Sequence, residues 1–167
     1  MAWIRTKIAV PKSLTVTQRR ELAINIILYI QDRSIEGRDR FEEKFPKYTK
    51  GYAELKGVSR GEVDLTDTGD MLTSLTLLDN SKGSITIGFP RSDKELNGKA
   101  EGNILGSYGG EPDRGKARDF LGIDETILEA FISAEEDSEE VTDKDIERAA
   151  REAARQIFED IEFDDGE

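Results

Sequence analysis

The chain has 167 residues, of which 36% are hydrophobic, enough for one sizeable core with a polar appendage. It contains no cysteine and no histidine, which removes disulfides, thiolate nucleophiles, imidazole bases, the usual zinc sites and the Ser-His-Asp arrangement. Its net charge of -12 is unevenly spread: residues 1–60 carry 13 Lys+Arg against 7 Asp+Glu, residues 61–118 carry 7 against 10, and residues 119–167 carry 4 against 19. A basic front and a strongly acidic back let copies attract one another front to back, while the acidic end repels nucleic acid. No segment reaches the uninterrupted apolar length of a membrane span, and no basic segment, apolar run and cleavage site open the chain. The chain is therefore expected to be soluble and cytosolic at synthesis, with no membrane partner.

Trp3 to Val10 alternates loosely and predicts a short strand or arm ending at Pro11. Ser13, Thr15 and Thr17 offer N-cap oxygens before a helix over Glu21 to Ile35. Leu22, Ile26 and Ile30 line one side of that helix, and Ile24 and Leu28 another. Such a helix has to be covered on two sides, by its own chain or by a neighbour. Residues 36–62 read as a loop with a short helix around Lys47 to Lys56. The aromatics there, Phe41, Phe45, Tyr48 and Tyr52, alternate with Lys as single-strand nucleic-acid platforms do. The interspersed Glu42, Glu43 and Glu54 favour packing against the domain instead.

Asp67 or Thr68 is expected to cap a short helix carrying Met71, Leu72 and Leu75. A hairpin follows, with a five-residue loop Asp79-Asn80-Ser81-Lys82-Gly83 and Ile85, Ile87 and Phe89 on one face of its second strand. Pro90 ends that strand, and Asp93 to Leu105 predicts a helix broken by Gly98 and Gly102. Gly106 to Lys116 reads as a loop and Arg118 to Ile123 as a further strand or extended piece. Asp124 then caps a helix to about Ala134, with Ile127, Leu128, Phe131 and Ile132 inward. The fold class is thus α+β: a long N-terminal helix on a small antiparallel sheet with a hairpin, plus C-terminal helices. The domains are 1–134 and an acidic helical extension, 135–167, in which Thr142 caps an amphipathic helix over Lys144 to Ile161.

Two further patterns carry chemistry. Asp67-Thr68-Gly69 matches the triplet of dimeric aspartic proteases, whose two carboxylates share a proton and activate water. Here it follows Leu65-Thr66 and precedes Asp70, whose extra carboxylate would disturb that proton, so a helix N-terminus is the better reading. Asp64, Asp67 and Asp70 do not match the ligand spacing of a calcium loop. No cofactor, metal or catalytic residue is assigned.

Three segments occur in a telling order. They are Phe45-Pro46-Lys47-Tyr48-Thr49-Lys50-Gly51-Tyr52-Ala53-Glu54-Leu55-Lys56, then Val63-Asp64-Leu65-Thr66-Asp67-Thr68-Gly69-Asp70-Met71-Leu72-Thr73-Ser74-Leu75, and Arg118-Asp119-Phe120-Leu121-Gly122-Ile123. Over residues 20–132 this succession resembles tail-completion and neck proteins of tailed phages, which join head to tail. Two departures are Lys99-Ala100-Glu101-Gly102-Asn103, where relatives commonly carry a Tyr-Ala-x-x-His-x-x-Gly segment, and the added acidic helix. The resemblance implies a non-enzymatic virion protein at the head-tail junction, made in the host cytoplasm. It implies a homo-oligomeric ring, hexameric, between the connector and the tail tube or its terminator, with DNA passing through the lumen without specific binding. The expected assembly contacts are Trp3, Phe45, Tyr48, Tyr52, Ile85, Ile87, Phe89, Tyr108, Arg118 and Phe120. A general protein-binding module using the aromatic segment is the alternative.

Overall fold

A computed structural model describes residues 2–65, 69–106, 117–138 and 143–162. The chain divides into two compact units, Met1–Glu136 and Asp137–Glu167. The fold is α+β: six helices and one three-stranded antiparallel sheet among the described residues.

In the first unit the sheet order is β1-β3-β2, with β1 at Arg5–Ala9, β2 at Thr76–Ser81 and β3 at Ser84–Gly88. The loose N-terminal alternation is an edge strand, registered Arg5 opposite Gly88 and Ile8 opposite Ile85. As the central strand, β3 is covered on both faces, and Ile85, Thr86, Ile87 and Gly88 are all buried. The expected five-residue hairpin loop is corrected to the two-residue turn Lys82-Gly83, with Gly83 at φ +85°. Asp79, Asn80 and Ser81 continue the ladder opposite Thr86, Ile85 and Ser84, after a register shift between Leu77 and Asp79. Their turn propensity is overridden because Asn80 has distant partners. Its Oδ1 accepts from Arg19 Nε at 2.6 Å and its Nδ2 donates to the Val16 carbonyl at 3.2 Å.

Helix α1 runs Val16–Ile35, five residues longer at its start than the apolar pattern suggests. Thr15 is the N-cap. Its Oγ1 accepts from the Gln18 amide at 3.1 Å, while Gln18 Oε1 accepts from the Thr15 amide at 3.0 Å, a reciprocal capping box. Leu22, Ala23, Ile26 and Ile30 are fully buried and join Ile85, Ile87 and Phe89 in one core. Helix α5, Glu125–Glu136, covers another flank of α1, where Tyr29 and Phe131 meet edge to face at 5.5 Å between ring centroids. Its inward residues Ile127, Leu128, Phe131 and Ile132 are only half-buried.

The remaining helices of this unit are short. Helix α2 is Lys50–Lys56, α3 is Asp70–Thr73, and α4 is Lys94–Leu105. Gly69 occupies the α3 N-cap without any side-chain cap, and Asp67 and Thr68, the expected caps, lie outside the described residues. Helix α4 is continuous despite Gly98 and Gly102, with the Asp93 carboxylate accepting from the Leu96 amide at 3.0 Å.

The second unit contains helix α6, Asp143–Glu162, whose side chains over 144–156 are exposed. Its expected cap, Thr142, lies outside the described residues.

Candidate functional site

The ten expected contact residues separate into four groups. Phe45, Tyr48, Ile85, Ile87, Phe89 and Phe120 are buried in the first unit, so their side chains pack within the chain and offer no surface. Trp3 and Arg118 are half-buried, and Tyr52 is exposed. Tyr108 lies outside the described residues. An apolar alternation in β3 cannot distinguish a strand buried on both faces from one offering an edge, which explains why the hairpin residues read as contacts.

The aromatic segment forms a tie across the fold. Thr49 caps α2 by accepting from the Tyr52 amide at 3.2 Å, which sets Tyr52 edge to face on Tyr48 at 4.8 Å between centroids. One turn later Lys56 reaches back, donating to the Tyr48 hydroxyl at 3.1 Å and to Asp64 Oδ1 at 2.8 Å. Burial alone would pull its ammonium down, but the bonds to Asp64 and Tyr48 prevail and hold it above the ordinary lysine value. The Arg118 guanidinium lies 5.2 Å from the Tyr48 ring centroid and donates to the Pro46 carbonyl at 3.4 Å. Burial lowers its pKa.

The stretch from Arg118 to Ile123 is extended, without strand pairing, and is held from α1 and the following loop. Arg33, 1% exposed, donates to the carbonyls of Phe120 and Gly122 at 2.5 and 2.9 Å. The Arg40 amide donates to the Asp119 carbonyl at 2.8 Å. Burial raises the Asp119 pKa against the opposing pull of Arg40. Glu42, at φ +66°, accepts from Tyr29 and Arg38 and lies 3.7 Å from Arg33. A buried arginine on a helix carries no sequence signal, so this second tie was not legible.

Exposed large apolar side chains are scattered over the first unit, at Phe41, Leu55 and Leu105 among others, and three gather on α1. At 100° per residue, Ile24, Leu28 and Ile35 fall within about 40° of one another and opposite the row of Leu22, Ile26 and Ile30. They are 48%, 53% and 51% exposed. Arg20 and Gln31 border this ridge on one side, Glu21, Asn25 and Asp32 on the other. An apolar centre with a polar rim is the anatomy of a protein-protein contact. Among the described residues no three carboxylates converge as metal ligands would. No helix among them is long and apolar enough to cross a membrane.

No known family model, curated protein or solved structure matches the chain.

Proposed function

We propose that this chain is a structural subunit of a phage virion, six copies forming a ring that joins connector to tail tube around the DNA path. The observation that carries it is the ridge of Ile24, Leu28 and Ile35, half exposed on the side of α1 away from the core. Covering it with a neighbouring copy would contribute about 3 kcal/mol, roughly 1 kcal/mol for the uncovered half of each side chain. Repeated around a closed ring, such an increment recurs at every interface. The phage assignment draws its support from the ordered motifs. Residues from all three of the resembling segments, Tyr48, Lys56, Asp64 and Arg118, converge at the tie around Tyr48. The reading needs no reaction, and its rigid part is the sheet with α1.

The test is light scattering of the full chain, alone and mixed with the connector and tail-tube proteins of the same virion. A ring of fixed stoichiometry is expected in the mixture. A chain that stays monomeric and unbound beside both proteins overturns the proposal.

A further inference from the structure

A second feature of the first unit lies away from the α1 ridge. Trp3, Arg5, Arg91, Lys94 and Asn97, with Ala2, line a cleft of about 710 Å³. Trp3 is fastened in place because its Nε1 donates to the Phe89 carbonyl at 2.8 Å. Asn97, 2% exposed, forms the fixed base. Its Oδ1 accepts from the Ile4 amide at 2.7 Å, and its Nδ2 donates to the carbonyls of Pro90 at 2.9 Å and Asp93 at 2.7 Å. The Arg5 and Arg91 guanidinium carbons lie 3.9 and 5.8 Å from the Trp3 ring centroid. All three cations are exposed, and none forms an ion pair with a carboxylate among the described residues. A rigid cleft with three uncompensated positive charges and no acidic lining residue is built for a polyanionic ligand.

The chain carries its own candidate. Residues 159–167 read Glu-Asp-Ile-Glu-Phe-Asp-Asp-Gly-Glu, six carboxylate side chains in nine positions. We infer that the Trp3 cleft binds the acidic segment 159–167 of a second copy, giving a front-to-back contact between subunits. The inference rests on the ring reading, since a contact between two different patches is the kind that repeats around a closed circle.

Trp3 is the only tryptophan in the chain, so its emission reports the cleft directly. A peptide of residues 157–167, which has no tryptophan, is titrated into the dilute full chain at low salt. A saturable change in Trp3 emission is expected, abolished at about 0.5 M salt and about tenfold weaker in affinity for the R91A/K94A variant. The same peptide with Asn and Gln replacing its acidic residues should give no response. Absence of a saturable change, unchanged affinity in the double variant, or a tighter response to inorganic phosphate overturns the inference. Without peptide, the emission of the chain should vary with its own concentration. An emission that changes when residues 159–167 are removed yet is independent of concentration would put the segment in its own chain's cleft and overturn the second-copy contact. Peptide binding by a chain that stays monomeric beside connector and tail-tube proteins would sink the ring reading and leave the cleft assignment standing.

Discussion

Arg33 Nη2 on α1 lies 2.5 Å from the carbonyl oxygen of Phe120, a residue 87 positions further along the chain. With the second bond to Gly122 it fixes an extended segment that has no strand partner. Arg33→Met would leave two carbonyls without their charged donor and is expected to cost about 3 kcal/mol. Arg33→Lys should recover little, because one ammonium cannot span both carbonyls as a guanidinium fork does. Urea unfolding midpoints check both.

The ridge on α1 should behave oppositely. Ile24→Glu with Leu28→Glu replaces side chains that are only half-buried, so unfolding free energy should fall by no more than about 1 kcal/mol for each substitution. The proposed ring formation with connector and tail-tube proteins should nevertheless be lost, as light scattering would reveal. A large fall in stability without loss of assembly would assign the ridge to the chain's own fold.

Lys56 yields a prediction in pH. Its pKa is raised above the ordinary 10.5 in the folded chain, so its contribution is fully present below that value and disappears as pH climbs through the raised one. Lys56→Met should therefore cost about 1–2 kcal/mol at neutral pH. The gap from the parent should narrow in melts taken above pH 10.5.

Gly88 tests the edge strand. A Cβ there would sit 2.5 Å from the Ile4 carbonyl oxygen and 2.7 Å from the Arg5 Cα, both backbone atoms that cannot step aside cheaply. Gly88→Ala should push the start of β1 away at a cost of about 2 kcal/mol. Because Trp3 is bonded to the next residue's carbonyl, its emission should shift to the red before global unfolding.

What could be read in advance followed periodicity. The 3.6-residue rhythm of Leu22, Ile26 and Ile30, a cap among Ser13, Thr15 and Thr17, and the alternation of Ile85, Ile87 and Phe89 each specify local geometry. The uncovered side of α1 was legible for the same reason, as Ile24 and Leu28 depart from the core face. Partners distant in sequence were not legible. Asn80 looks like a turn residue until Arg19 is placed beside it, and Arg33 looks like a solvated helix charge until Phe120 arrives. The cleft was hidden similarly, since Arg5, Arg91 and Lys94 come together only when β1 pairs with β3 and α4 begins beside them.

The pairing of Arg5 to Ala9 with Ser84 to Gly88 also bears on birth at the ribosome. The opening strand has nothing to lie against until about eighty further residues have been synthesised, and α1 emerges well before the sheet that shelters it. During elongation at about 5–20 residues per second, the newborn helix shows Leu22 and Ile26 to water for several seconds. The core face of α1 is therefore exposed for longest while the chain is still being made.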